Sequence, residues 1–224
     1  MRSRGVEGHS FIVGICTEDF SLVFDLVRLM NERGIGYVLL APGEVVERRV
    51  DVAILDAPSP RFAVQFPKRM RPQKDPEMTM DRAVALAYGV FGPRNMVMGI
   101  DPGLRNGVAV LADGVTIGTH VLLDPSAIPA MLRSALTALR PRTTTVRIGD
   151  GDPVRRDQII GSLFDRFGSG ICLEMVDERS TSIEPRRTHE EAAARIARMK
   201  GRCIDRRDYP SRGRMGEGFR IKNR

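Results

Sequence analysis

Asp101 stands at the end of a short apolar run, residues 96–100, and directly before Pro102 and Gly103. An apolar run of this length is typical of a buried strand, so Asp101 is expected to project from the edge of a sheet. A carboxylate in that position costs stability unless it is solvated or used, and carboxylate oxygens are the ligands that Mg²⁺ and Mn²⁺ prefer. Because Asp-Pro-Gly after a strand is also a common turn, this residue alone indicates either a turn or a metal ligand.

Further acidic residues follow two other apolar runs. Asp150 and Asp152 come after residues 144–148, and Asp177 and Glu178 come after residues 171–176. Asp152 precedes a proline, which is the pattern of an N-cap and a first helical residue, so we assign it to helix capping. The other three acids remain available for metal binding or catalysis.

Polar residues at the start of the last predicted helix compete for one role. The buried face of that helix consists of Ala193, Ile196 and Ala197. On a helical wheel His189 falls over the middle of this face and Glu190 at its edge, whereas Glu191 points nearly opposite, alongside Arg195. Thr188 and Glu191 also have the spacing of a capping box, which gives Glu191 a structural role. We therefore expect Glu190 to face the site.

Two stretches resemble a known superfamily. Residues 98–110, Met-Gly-Ile-Asp-Pro-Gly-Leu-Arg-Asn-Gly-Val-Ala-Val, resemble the opening hairpin of RuvC-type Holliday-junction resolvases, in which the strand-end aspartate binds a divalent metal. Residues 176–182, Val-Asp-Glu-Arg-Ser-Thr-Ser, resemble the Asp-Glu-Arg-x-(Ser/Thr)-(Ser/Thr) motif of the YqgF family. Their order and their positions at strand ends indicate a ribonuclease H-like domain of RuvC/YqgF type. The resemblance covers about half of the chain and does not reach the first 90 or so residues.

The resemblance implies a nuclease that depends on Mg²⁺ or Mn²⁺. Asp101 would be the principal metal ligand, and either Glu178 or Asp150 the second, a choice that the sequence leaves open. Asp177, beside Glu178, is a further candidate ligand. Two such ions about 3.5–4 Å apart can activate water and stabilise the leaving oxygen of a phosphodiester.

The last helix would supply the third acid of this set. Glu190, with Ala192 and Ala194 after it, matches the acidic residue followed by small residues that the resembled families carry, although their residue is usually Asp. His189 is a candidate for orienting water or the leaving group.

Basic residues suggest where a polyanion would bind. The chain has a formal net charge of +7, and residues 195–224 alone carry +8, which leaves the remainder close to neutral. A basic C-terminal arm of this kind is typical of nucleic-acid binding, and a solvated tail is the alternative. The candidate phosphate contacts are Arg105, Arg179, Lys200, Arg202, Arg206 and Arg207.

Periodicity of the apolar residues predicts an α/β protein with two domains. Residues 1–93 read as a small α/β domain with a Pro-rich connection, a helix that ends at Gly34 and another that Thr79 caps. Residues 94–200 read as β-β-β-α-β-α-β-α, which we interpret as a ribonuclease H-like mixed sheet of five strands flanked by helices. Residues 201–224 read as a basic tail.

Several other function classes are weighed against the nuclease. Glu18, Asp19 and Asp56 give the first domain a thin likeness to response-regulator receivers, but the Pro-rich sequence after Asp56 departs from that pattern. Actin-like ATPases and sugar kinases use a similar hairpin but need two such domains. A third alternative is a catalytically inactive nucleic-acid-binding module. We favour the nuclease, acting on branched DNA or structured RNA, with a homodimer compatible with a two-fold junction.

Composition limits where the protein works. No apolar run approaches the roughly 20 residues that a membrane span needs, and the N-terminus lacks an apolar signal segment, so we expect a cytoplasmic protein without a membrane partner. Cys16, Cys172 and Cys203 are far apart and lack metal-ligand spacing. We expect them to be buried or unreactive thiols.

Overall fold

The computed structural model describes residues 11–41, 50–56, 68–90, 92–178 and 188–209. The chain divides into two compact units. The first comprises Met1–Asn95, Leu111–Gly118 and Ser134–Arg142, and the second comprises Met96–Val110, Thr119–Arg133 and Thr143–Arg224. The domain boundaries predicted from the sequence, near residues 94 and 200, remain predictions.

The first unit contains a parallel sheet of four strands in the order β2-β1-β3-β4. The strands are β1 (Ile12–Cys16), β2 (Gly36–Leu39), β3 (Val52–Leu55) and β4 (Arg69–Met70). The helices are α1 (Phe20–Arg33) and α2 (Pro76–Ala87). A core of aliphatic side chains from β1, β3, α1 and α2 holds this unit together, because burial of such side chains is the main favourable contribution to folding.

Local signals set the ends of these helices. Gly34 ends α1 with a positive φ of 66°, as predicted, since glycine adopts that conformation without steric cost. The prediction that Thr79 caps the next helix is wrong. Asp75 is the N-cap and Pro76 the first helical residue, whereas Thr79 lies buried inside α2 and its hydroxyl donates to the Asp75 carbonyl oxygen at 3.0 Å.

The second sheet has six strands in the order β10-β9-β8-β5-β6-β7. The strands are β5 (Asn95–Asp101), β6 (Asn106–Ala112), β7 (Val115–Leu122), β8 (Thr143–Gly149), β9 (Cys172–Val176) and β10 (Arg202–Cys203). The helices that connect them are α3 (Ile128–Leu139), α4 (Pro153–Phe167) and α5 (His189–Arg198). Strands β8 and β9 are parallel and β10 is antiparallel to β9, so the sheet is mixed.

The predicted α/β class and the mixed character of the larger sheet are confirmed, but the strand number is not. The sixth strand, β10, lies in the segment that the sequence suggested was a tail. Its pairing with β9 continues through a hydrogen bond from the Ile204 amide to the Leu173 carbonyl oxygen at 2.9 Å. The Ile204 side chain is buried, and the Tyr209 ring packs against Phe164 with 6.5 Å between ring centroids. Burial and strand pairing therefore hold residues 202–209 against the second unit.

None of the helices in the described ranges combines the length and the apolar character that a bilayer crossing requires.

Candidate active site

Three acidic residues lie at the ends of neighbouring strands in the second unit. Strand β8 stands between β5 and β9 in the sheet, and the parallel register places Gly149 of β8 beside Val176 of β9. Asp101 ends β5, Asp150 follows β8, and Glu178 follows β9 by two residues. The backbone amide of Glu178 donates to Asp150 Oδ1 at 3.1 Å. Asp150 therefore has a structural role at least, because it holds the backbone from which Glu178 projects.

Gly149 lets the Glu178 side chain fold back over the strand end. A Cβ atom built on Gly149 would lie 1.9 Å from Glu178 Oε1, which is far inside contact distance. The backbone amide of Gly151 also donates to the Glu178 carboxylate. Glu178 is half-buried, whereas its neighbour Asp177 is exposed. Of the two acids predicted after β9, the structure turns Glu178 towards the other carboxylates.

The electrostatics of the cluster agree with this geometry. Burial raises the pKa of Glu178, and the negative charges of Asp101 and Asp150 raise it further. Burial also raises the pKa of Asp101, which His189 partly offsets. Like charges held close together disfavour ionisation, so this site stores unfavourable charge that a bound cation would relieve.

His189 contacts Asp101 directly. It is the first residue of α5, and its Nδ1 lies 3.3 Å from Asp101 Oδ2. The helix can begin this close to the sheet because Gly107 has no side chain. A Cβ atom there would lie only 2.0 Å from the His189 carbonyl oxygen. Thr188 and Glu191 form the predicted capping box at the same helix end. His189 is 46% exposed, so it borders the site from the solvent side.

Glu190 is not joined to this cluster. Its side chain is half-buried, and in the part of the chain that the structure describes no hydrogen bond or ion pair links it to Asp101, Asp150 or Glu178. The helical wheel led us to expect Glu190 to face the site. In the structure it is His189 that contacts Asp101. The role of Glu190 as a third metal ligand remains a prediction without geometric support.

Arg195 is a residue of this site that the sequence reasoning missed. On the wheel it shared the outward face with Glu191, yet its positive charge lowers the pKa of both Asp101 and Glu178. Its side chain is only partly exposed, and its Nε atom is buried. The available signal was a long basic side chain on a helix with four alanines. Such a side chain can carry its charge around the helix past small neighbours.

The candidate donor set has the chemistry of a magnesium or manganese site. Asp101 and Asp150 lie close enough to Glu178 to raise its pKa, and the His189 imidazole contacts Asp101. Gly149 leaves the space that the Glu178 carboxylate occupies. As the side chains stand, however, no three Asp, Glu, His or Cys residues in the described ranges are grouped closely enough to hold one ion.

The predicted phosphate contacts are distributed around the second unit. Arg105 is exposed in the turn that follows Asp101. Lys200 and Arg202 are also exposed, whereas Arg179 lies outside the described residues. Two further candidates form ion pairs, Arg206 with Asp165 at 3.7 Å and Arg207 with Asp205 at 2.6 Å. Their charges are therefore partly balanced within the protein.

Other acidic residues singled out from the sequence have structural partners. The Asp152 carboxylate accepts from the Arg155 amide as the N-cap of α4, which confirms that assignment. Asp19 caps α1 by accepting from the Leu22 amide. Asp56 accepts a hydrogen bond from the Thr17 hydroxyl at 3.1 Å. In the first unit, Asp19 and Asp56 therefore each have a local hydrogen-bond donor.

Comparison of the chain with models of known protein families gave no match, and comparison with curated proteins gave none either.

Proposed function

We propose that the second unit is a ribonuclease H-like nuclease that hydrolyses phosphodiester bonds of structured nucleic acid with the help of Mg²⁺ or Mn²⁺. The observation that carries the proposal is the position of Asp101, Asp150 and Glu178 at three neighbouring strand ends, where burial and the charges of the other two acids raise the pKa of Glu178. Clusters of like charge cost stability, and sites with such perturbed pKa values are frequently functional.

The order of the elements supports the proposal. Strands β5, β6 and β7 are followed by α3-β8-α4-β9-α5, which is the β-β-β-α-β-α-β-α order expected for a domain of this type. The hairpin that resembles RuvC-type resolvases corresponds to β5 and β6, and the stretch that resembles the YqgF motif begins at the end of β9. Asp101 of the first motif and Glu178 of the second therefore belong to the same carboxylate cluster.

The residues of this chain would divide the work as follows. Asp101 and Glu178 would hold the metal, with His189 or Asp150 beside them, and the metal when bound would activate water and stabilise the leaving oxygen. Asp150 fixes the backbone of Glu178. His189 is placed at Asp101 to position a water molecule or to exchange a proton. The guanidinium of Arg195 balances carboxylate charge when a phosphate approaches.

The substrate class follows from the basic residues. Arg105 beside the site and the basic residues after α5 favour a polyanion. The few aromatic residues, 5% of the chain with no Trp, favour recognition of backbone and shape over base stacking. Branched DNA and structured RNA both meet these requirements, and a two-fold junction would suit a homodimer.

A second candidate is an inactive nucleic-acid-binding module of the same fold. The observation that favours it is that no three potential ligands in the described ranges are grouped to hold an ion, with Glu190 apart from the cluster. In that case the fold and the basic residues would serve binding alone.

A cleavage assay tests the proposal. Labelled four-way junction, duplex DNA, single-stranded DNA and structured RNA are incubated with Mg²⁺ or Mn²⁺ and either the wild-type protein or Asp101→Asn. Asp25→Asn, which alters an exposed acid of α1 near Arg28, serves as the matched control. We expect metal-dependent cleavage that Asp101→Asn lowers by roughly 100-fold or more and Asp25→Asn leaves unchanged.

The alternative outcomes are distinct. If the protein binds one of these substrates but cuts none of them with either metal, the inactive module is the correct interpretation. If cleavage persists in Asp101→Asn, the site lies elsewhere and the proposal fails.

A further inference from the structure

Two of the three cysteines meet at the edge of the six-stranded sheet. Cys172 begins β9 and Cys203 ends β10, and both are exposed, whereas Cys16 is buried. The antiparallel register places Cys203 opposite Glu174. Because side chains two residues apart share one face of a strand, Cys172 and Cys203 are diagonal neighbours on the same face of the sheet. The sequence led us to expect buried or unreactive thiols, and these two are not buried.

The two thiols are close enough to affect each other. Partial burial raises the pKa of the Cys172 thiol, and the neighbouring Cys203 raises it further. Both residues also line one open cavity of 530 Å³, beside Phe164, Ser169 and Arg206. A small reagent can therefore reach both sulfur atoms from the same side.

The distance between the two cysteines can also shorten. Diagonal neighbours in an antiparallel pair have Cα atoms about 7–8 Å apart, whereas a disulfide needs Cα atoms within about 6.8 Å. Strand β10 consists of only two residues at the edge of the sheet. A short edge strand can shift by the small distance required without disturbing the strands at the centre.

We propose that Cys172 and Cys203 are a thiol pair that low-molecular-weight disulfides, such as oxidised glutathione, convert reversibly into an intramolecular disulfide between β9 and β10. One thiolate attacks a glutathione sulfur, forms a mixed disulfide and releases one glutathione thiolate. The second cysteine thiolate then attacks the bonded cysteine sulfur and releases the other glutathione. Two cysteine thiols are thereby oxidised, one glutathione disulfide is reduced to two thiols, and the two protons end on the released glutathione.

The disulfide would close a loop that contains much of the candidate active site. The segment between Cys172 and Cys203 includes Glu178 and all of α5, which begins at His189. Oxidation would tie the two ends of this segment together at the sheet edge. Since a cross-link restricts the unfolded chain more when it closes a longer loop, a loop of this size should give a measurable gain in stability.

Mass spectrometry of the full-length protein tests the inference. The protein is incubated with oxidised glutathione at pH 8, quenched with a thiol-alkylating reagent, and analysed intact and after proteolysis. We expect a monomer about 2 Da lighter than the reduced protein, with a Cys172–Cys203 cross-linked peptide and an unmodified Cys16. The thermal unfolding midpoint should rise by about 5–10 °C and return on reduction.

Matched variants separate this result from general thiol reactivity. Cys203→Ser should carry one glutathione on Cys172 and show no rise in the unfolding midpoint, whereas Cys16→Ser should cross-link like the wild type. A wild-type protein that carries one glutathione on each exposed cysteine, forms disulfide-linked dimers, or shows no oxidation would overturn the inference. The mass and peptide map of the wild type decide this even if a variant fails to fold.

Discussion

Both sheets place acidic residues at strand ends, but the two sets of acids have different surroundings. In the four-stranded sheet, Asp19 caps a helix and Asp56 accepts a hydrogen bond from the Thr17 hydroxyl. In the six-stranded sheet, the pKa of Glu178 is raised by burial and also by the negative charges of Asp101 and Asp150 at the neighbouring strand ends. The acids of the first set accept hydrogen bonds from nearby donors, whereas Glu178 in the second set lies close to other negative charges.

The difference shows what separates a structural acid from a candidate ligand. A strand-end carboxylate that finds a local amide or hydroxyl donor stabilises a cap or a turn. A carboxylate whose neighbouring strands bring further carboxylates destabilises the fold unless a cation binds. Substitutions in the two sheets should therefore have opposite consequences for stability and activity.

The largest expected effect comes from Glu178→Gln. Without metal, this change should raise the free energy of unfolding at pH 7 by about 1 kcal/mol, while metal-dependent cleavage should fall by roughly 100-fold. The pKa of Glu178 is raised in the folded protein, so the folded state holds this proton more tightly than the unfolded state does. Protonated Glu178 therefore stabilises the folded state at acid pH, and this stabilisation is lost as the pH rises through the raised pKa.

Urea unfolding from about pH 4 to pH 7 measures this dependence. The advantage of Glu178→Gln over the wild type should grow with pH, and Mg²⁺ should stabilise the wild type more than the variant. Glu32→Gln, an exposed acid of α1, is the control and should show no such trend. An advantage that is constant across this range would mean that the cluster does not store unfavourable charge.

Gly149→Ala should have the next largest effect. The substitution keeps every carboxylate of the cluster but reduces the space that the Glu178 side chain occupies. The added methyl group would overlap the Glu178 carboxylate, so we expect cleavage to fall by about 10-fold and stability by about 1–3 kcal/mol. Gly161→Ala is the matched control, since a Cβ there has no atom within 4 Å. That variant should be slightly more stable, by up to about 1 kcal/mol, because alanine favours the helix. Full cleavage activity in Gly149→Ala would contradict the assignment of Glu178 to the active site.

Deleting residues 210–224 tests the basic segment without disturbing β10. The deleted part contains five Lys or Arg residues and one Glu, and β10 and the buried Ile204 remain in place. Nucleic-acid binding should weaken, and the slope of log K against log salt should become shallower by about 0.9 for each phosphate contact that is lost. An unchanged slope in salt titrations would assign the electrostatic contacts to Arg105 and the other basic residues that remain.

The smallest expected effect comes from Asp19→Ala in the first unit. Loss of the N-cap of α1 should lower the free energy of unfolding by about 1 kcal/mol and leave cleavage unchanged. Asp19→Ser should restore most of the stability, since serine is also a good N-cap. A loss of cleavage in a variant that remains folded would show that the first unit contributes to catalysis, and the comparison between the two sheets would no longer hold.

Much of the fold followed from patterns within single segments. The apolar runs predicted strands β5, β8 and β9 to within about two residues, whereas the short strands β4 and β10 were not predicted. Helix ends with one strong cap, such as Gly34 and Asp152, were also predicted. At α2 the sequence indicated Thr79 as the cap, whereas Asp75 is the N-cap and Pro76 the first helical residue. These features depend on neighbours a few residues away, which is why the sequence contains them.

The membership of the site depended on contacts between distant segments. The sequence indicated Asp101 and Glu178, but it favoured Glu190 on α5 and placed Arg195 on the outward face. In the structure His189 contacts Asp101, and the charge of Arg195 acts on both acids. The exact position of a helix on a sheet depends on close approaches between backbones, such as that of His189 to Gly107. A helical wheel does not include such approaches.

The sequence by itself determined the α/β class, most helix and strand positions, and the acids that follow β5, β8 and β9, because periodicity and turn chemistry are local. Tertiary structure decided which of these acids meet, that β10 pairs with β9, and that Cys172 and Cys203 are diagonal neighbours on one face of the sheet. Those outcomes depend on strand order and register, which bring together residues far apart along the chain. Packing of the whole sheet selects them, and no short stretch of sequence specifies them.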